Sequence, residues 1–347
     1  MECRAALREQ TRCRMPPWRA QHSDDPFSRH QLPVRASIGR TRCYRPFVSI
    51  GGVRRWIRDG AWCPDNIGTE AVCRRELIRI FTDQAGQNWS KQQQQIDGRI
   101  SNLYRGWLAT DKGNPTYHIG PDVAYGATVT HPTDPLRWPT PFPPEAILPG
   151  WRAAACAYYL GMERIGDAIL CSLLRGLSLA TSELSDAFIG GISTLRIIHY
   201  RGRPVSPLLA SGEQRSTRHA GQQRAVVLDV HADFGFVTLL AQNGAEGLQA
   251  RIPDGVWVDV PPVEGTLVVN FGKLLERLTG GHIRATRHCV LSVGRERFSV
   301  PFFYEPRADA RLVPLPVMGV EGLEAFVYGE HVRAASKRFT SLRSVTR

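Results

Sequence analysis

The chain has 347 residues, of which 42% are hydrophobic, enough to bury a full core, so one large domain with appendages is expected. Its net charge is +12 and rests on arginine, with lysine only at Lys91, Lys112, Lys273 and Lys337, and much of the excess lies in the first sixty residues. Basicity spread in this way, with no aromatic stacking motif or nucleic-acid fold signature, argues against a nucleic-acid partner, and no apolar run reaches membrane-spanning length.

Residues 1–70 form the first predicted segment, irregular or disordered: arginine, proline, cysteine and tryptophan are scattered without a period of 2 or 3.6. Prolines and the Asp24-Asp25 pair break any cationic amphipathic helix of the transit-peptide kind. Of eight cysteines, Cys3, Cys13, Cys43, Cys63 and Cys73 precede residue 75, none in a CxxC pair. With no signal peptide recognised, free thiols in a reducing, cytoplasmic setting are expected, in a soluble monomer.

The second segment, 71–190, is predicted as mainly helical. Leu77, Ile78, Ile80 and Phe81 predict a short helix over Glu76–Ala85, and a proline-rich link follows over 131–149. The longest helix is predicted over Trp151–Leu179, where Trp151, Ala155, Tyr158, Met162, Ile165, Ile169 and Leu173 recur at helical spacing. Such a stripe is a core-packing face rather than a binding surface. The third segment, 191–306, reads as strands punctuated by glycine and proline, and the tail 307–347 as a basic end with a helix near Gly322–Ala335.

Two stretches carry chemistry. In VVLDVHADFGFVTLLAQ, Val, Leu, Phe and Thr predict a strand over Val226–Leu240, on which alternation puts His231 and Asp233 on one face. His288 comes 57 residues after His231 and follows the turn signal Thr279-Gly280-Gly281, which predicts a distant strand folded back alongside. Two imidazoles and a carboxylate on one triangular face of a metal leave its other positions open, the pattern of oxygen-activating Fe(II) sites. Beyond them, Arg297 and Ser299 alternate onto one strand face; a guanidinium fork with a nearby hydroxyl reads as a carboxylate clamp.

Taken singly these pieces are weak. A lone His-x-Asp is more often a surface polar pair, an Arg-x-Ser a solvated strand face, and Tyr200 by itself a half-buried core tyrosine. His118, His131, His199, His219 and His282 read as loop or core residues, and Asp229 as an edge-facing charge.

Order and spacing together resemble the iron(II) and 2-oxoglutarate-dependent oxygenases related to isopenicillin N synthase: His231-x-Asp233, then His288, then Arg297-x-Ser299. The segments LRIIHYRGRP, HADFGFVTLL, GLQARIPDGVWVDVPPVEGTLVVNFGKLLERLTGGHIRATRH and RFSVPFFYEP are similar to that family's core, the likeness running from about Arg105 to Pro306, and WSKQQQQIDGRISNLYRGW resembles the entry to it. The resemblance implies a mainly β fold with flanking α-helices, a double-stranded β-helix or jelly-roll barrel. It implies Fe(II) held by His231, Asp233 and His288, and 2-oxoglutarate held by Arg297, Ser299 and Tyr200. It further implies O₂ as oxidant, ascorbate as reductant, and a small-molecule substrate that is hydroxylated, desaturated or cyclised with release of succinate and CO₂. An Fe(II) oxidase that does without 2-oxoglutarate, or an impaired member acting as a binding module, are the alternatives. The chain departs from the family at Cys289, where relatives often carry arginine, and a weaker hold on His288 is expected there.

Overall fold

The computed structural model describes residues 70–92, 95–96, 99–100, 104–108, 114–131, 133–202, 216–219, 222–242, 244–263, 266–317 and 324–336. The irregular segment expected at the N-terminus lies outside the described residues, up to residue 69. The described residues fall in one compact unit, 42–347.

Helices come first. Helices α1 (Glu70–Thr82) and α2 (Gln84–Gln92) replace the single helix expected over Glu76–Ala85. Within α1 Arg79 reaches Glu76 at 2.8 Å and Asp83, just past its end, at 3.0 Å, pairs about one helical turn apart. After the four-residue helix α3 (Asp122–Tyr125), the long helix α4 (Trp151–Gly176) follows, ending at glycine three residues before the predicted stop. Its predicted stripe is buried apart from Leu173, which is half-buried. Trp151 donates from its indole to the Leu77 carbonyl at 3.0 Å, which joins α4 to α1.

Strands then alternate between two sheets. Short strands β1 (Gln95–Ile96) and β2 (Arg99–Ile100) pair with each other. The larger sheet holds β3 (Gly106–Leu108), β4 (Thr116–Ile119), β5 (Thr194–Tyr200), β8 (Val237–Gln242), β11 (Val268–Phe271) and β13 (Arg297–Tyr304). Its order is β11-β8-β13-β5-β4-β3. The smaller sheet holds β6 (Ser216–His219), β7 (Gln222–His231), β9 (Leu248–Arg251), β10 (Trp257–Asp259) and β12 (His288–Leu291), in the order β10-β9-β12-β7-β6. All pairings within the two sheets are antiparallel. From β5 onward the chain passes from one sheet to the other and back, the winding of a double-stranded β-helix, as the sequence led one to expect.

Apolar alternation builds two cores. Tyr200, Leu240, Leu248, Ala250, Val260, Val268 and Val290 come from both sheets and fill the space between them. The outer face of the larger sheet is covered by α4 and α1, where Tyr159 meets Phe302 edge-on with ring centres 5.0 Å apart. Short helix α5 (Lys273–Leu278) links β11 toward β12. Near the C-terminus β14 (Arg311–Leu312) pairs with β15 (Phe326–Val327), and helix α6 (Tyr328–Ser336) starts six residues later than expected because Phe326 and Val327 are drawn into that pair. Among the described residues no helix is long and apolar enough to cross a membrane.

Candidate metal centre

His231 is the last residue of β7 and His288 the first of β12, and the two face each other across the antiparallel ladder. Their ring centres lie 4.2 Å apart. Asp233 does not share a strand with His231, contrary to the single strand predicted over Val226–Leu240. Strand β7 stops at His231, and Ala232–Phe236 carries the chain across to β8 in the opposite sheet. The turn at Gly235 breaks the strand, and the crossover swings the carboxylate back toward both rings. One Asp233 oxygen lies 3.7 Å from His231 Nε2 and 3.9 Å from His288 Nε2. One candidate ligand atom from each of the three residues lies within 4.8 Å of the other two, the only such group of His, Cys, Asp and Glu among the described residues.

Backbone amides pin this crossover. Lys273 N donates to the Asp233 carbonyl at 2.7 Å, Leu274 N to the Gly235 carbonyl at 3.1 Å, and Gly272 N to the Phe236 carbonyl at 2.9 Å. The loop thereby supplies acceptors for the first amides of α5, which has no side-chain cap. Contact is close enough that a Cβ on Gly272 would sit 2.0 Å from the Gly235 oxygen. Only glycine fits there.

Each candidate ligand has a support behind it. His231 Nδ1 donates to the Asp229 carbonyl at 2.8 Å and His288 Nδ1 to the Thr286 carbonyl at 3.0 Å. Both Nε2 atoms are left with a lone pair directed at the Asp233 carboxylate side, the tautomer that a divalent metal requires. The Thr238 hydroxyl donates to the second Asp233 oxygen at 2.6 Å. Burial alone would raise the Asp233 carboxyl, but the imidazoles of His288 and His231, the Thr238 hydroxyl and the Arg196 guanidinium hold it below the usual carboxylate range. Burial, with the neighbouring His288 ring, pushes His231 down, so it stays neutral. An ionised acid and a neutral His231 imidazole are ready-made donors for Fe(II).

At Cys289 the structure replaces the expected weakness with a different contact. The His288 ring is held by the Thr286 carbonyl, while the Cys289 thiol lies 3.9 Å from the Gln249 side-chain oxygen. Burial pushes that thiol up to about 11, so it stays protonated and does not compete as a ligand.

Arg297 opposes Tyr200 across the β13–β5 ladder and Ser299 opposes Ile198, so the three predicted clamp residues share one inner patch. All are buried, and the Arg297 guanidinium stacks 4.1 Å above the Tyr200 ring. Its Nη2 is buried without any hydrogen-bond partner. An unpaired buried guanidinium is costly, which makes Arg297 a candidate seat for an anion such as a carboxylate. Tyr200 supports the cation with its ring face.

Among the described residues no other histidine joins this group, although His331 Nε2 donates to the carbonyl of Phe234 beside Asp233, at 3.2 Å. His118 lies in β4 with Nε2 at 3.1 Å from the Thr116 hydroxyl, and His199 packs on the outer face against Phe298 with ring centres 4.7 Å apart. His131 contacts Thr133 and His219 ends β6. Two neighbours of the centre went unread in the sequence. Thr238 and Arg196 are polar residues at alternate positions of otherwise apolar strands, VTLLAQ and TLRIIHY, and that break in the pattern was the available signal.

Residues 216–306 match the family profile of the 2OG-Fe(II) oxygenase superfamily, a span that contains all three candidate ligands and the Arg-x-Ser pair. Over that span this chain is similar to the 2OG-Fe(II) oxygenases. Fe(II) and 2-oxoglutarate are that superfamily's cofactors. Among curated oxygenases, the chain is 31% identical over 193 residues to the 2-oxoglutarate-Fe(II) type oxidoreductase hxnY of Emericella nidulans, covering 55% of this chain and 51% of that one. To validamycin A dioxygenase of Streptomyces hygroscopicus subsp. limoneus it is 31% identical over 229 residues, covering 62% of this chain and 57% of the other. The chain thus spans about half the length of these oxygenases. In fold it is similar to a 2OG-Fe(II) oxygenase family protein from Caulobacter crescentus, with TM-score 0.60 at 21% identity over 76% of this chain and 84% of that one. The rice dioxygenase for auxin oxidation is similar too, with TM-score 0.55 at 20% identity over 81% of this chain and 88% of the other.

Proposed function

We propose that this protein is an Fe(II)- and 2-oxoglutarate-dependent dioxygenase that oxidises a small molecule. The observation that carries the reading is the convergence of His231, Asp233 and His288, their candidate ligand atoms within 4.8 Å of one another, inside the same barrel as an Arg297 guanidinium without an acceptor. The iron, when bound with 2-oxoglutarate and O₂, supplies the oxidation, with succinate and CO₂ as co-products. The chain supplies the rest.

His231 and His288 present Nε2 because their Nδ1 protons are committed to main-chain carbonyls. Asp233 presents one oxygen and keeps the other on Thr238, which fixes the carboxylate plane. Arg297 and Ser299 receive the far carboxylate of the co-substrate, with the Tyr200 ring beneath the guanidinium. The apolar cluster of Leu240, Leu248, Val268 and Val290 keeps water away from the co-substrate's carbon chain.

Anaerobic calorimetry on Fe(II)-loaded protein tests the assignment. Arg297→Ala is expected to weaken 2-oxoglutarate by about 2–5 kcal/mol, on the order of thirtyfold or more, while iron still binds. Unchanged 2-oxoglutarate affinity in that variant, or no affinity in the wild type, would exclude the role given to Arg297.

A further inference from the structure

Arg196 sits in the middle of β5, four residues before Tyr200 and on the same strand face. That face looks into the barrel, because Ile198 between them packs in the inner cluster with Tyr200 and Leu240. At ~3.3 Å per residue Arg196 lies roughly 13 Å along the strand from the Arg297 pairing, too far for a five-carbon diacid seated on Arg297 to reach it while also holding the metal.

Among the described residues the guanidinium has company but no hydrogen-bond acceptor. Its carbon lies 4.6 Å from the centre of the Phe303 ring, and β5 places it opposite His118 of β4. Arg196 Nε is buried with no hydrogen-bond partner, and no carboxylate is within ion-pair distance of the side chain among the described residues. Strand β5 pairs with β13 in the sheet that also carries β8, where the Asp233 crossover ends, so the guanidinium lies on the inner face of the same barrel as the candidate metal ligands. Phe303 is the one residue of β13 that is half-buried, so the ring beneath the guanidinium is partly reached by solvent.

We propose that Arg196 is the substrate anchor: its fork receives the carboxylate of a small organic acid whose apolar body lies along Phe303 toward His231, Asp233 and His288. The fork's paired N–H groups match a carboxylate better than any neutral acceptor. Phe303 offers an apolar face beside it. This rests on the oxygenase reading above, and it names the substrate class that the site takes.

The test uses the full chain loaded with Mn(II) and 2-oxoglutarate, so that binding is read without turnover. Benzoate, phenylacetate and cinnamate are titrated by calorimetry, each against its primary amide. The wild type is expected to bind at least one acid tenfold or more tighter than its amide, and Arg196→Met is expected to erase that preference. Arg196→Lys, which keeps the charge and loses the fork, should retain part of it. Binding of Mn(II) and 2-oxoglutarate in all three proteins reports that each is folded. If no acid is preferred over its amide, or if the preference survives Arg196→Met, the anchor role is overturned. If the wild type takes up no 2-oxoglutarate, the oxygenase reading itself has failed, and the two failures are separate.

Discussion

At the scale of single residues the site shows a division of labour between main chain and side chains. The two imidazoles are oriented by carbonyls, those of Asp229 and Thr286, whereas the carboxylate of Asp233 leans on a side chain, Thr238. Thr238→Val keeps the shape of the strand residue and removes the hydroxyl. It is expected to weaken Fe(II) or Mn(II) binding by about 10–100-fold, the usual cost of losing a group that supports a metal ligand, with little change in 2-oxoglutarate affinity at saturating metal. Metal titration followed by calorimetry would check this, and an unaltered metal affinity would show that Asp233 holds its rotamer without help. The candidate ligands were legible in the sequence because their types and spacing are set by chemistry. The carbonyls behind them were not, since every residue carries one and only the fold decides which of them meets a ring.

At the scale of elements, alternation and helical periodicity located most strands and the long helix α4. The strand expected over Val226–Leu240 failed at its centre. Apolar and β-branched residues lie on both sides of the Gly235 turn, and composition alone does not tell one long strand from two that lie in opposite sheets. Helix α4 was legible from its stripe, but its tight seat on β13 was not. A Cβ on Gly166 would lie 2.4 Å from the Tyr304 ring, which is stacked on Phe188 with ring centres 4.6 Å apart and donates to Asp167 at 2.5 Å. Gly166→Ala is therefore expected to cost about 1–3 kcal/mol in denaturant unfolding through overpacking. The same helix carries a pH response. Burial pushes the Glu163 carboxyl up to about 7, against the hydrogen bond it accepts from Tyr125, from an ordinary value of 4.5. The folded chain thus holds a proton that the unfolded chain releases. The stability this gives is fully present below 4.5 and is lost as pH rises through 7. Glu163→Gln should leave stability unchanged near pH 4.5 and raise it at pH 8 by at most about 3 kcal/mol, less where water reaches the group. Urea melts at the two pH values would decide, and an equal effect at both would remove Glu163 as the cause.

At the scale of the whole molecule the candidate ligands bridge two layers. His231 and His288 belong to the smaller sheet, whereas Asp233 lies on the crossover into β8 of the larger one. An ion held by the three would tie those layers together. Metal at one hundred times its Kd is expected to add about 2.7 kcal/mol to stability, a rise of several degrees in Tm, and His288→Ala should abolish the rise. Differential scanning calorimetry with and without Mn(II) measures it directly.

The main-chain steering of both rings has a consequence for how this centre can change. A carbonyl cannot be mutated away, so two arms of the centre are shielded from side-chain exchange, and substitution at Asp229 or Thr286 leaves the acceptor in place. The carboxylate arm alone has an editable support. Selection for looser or tighter iron, in nature or in the laboratory, would therefore find its adjustable screw at position 238, with the histidines left as fixed mounts.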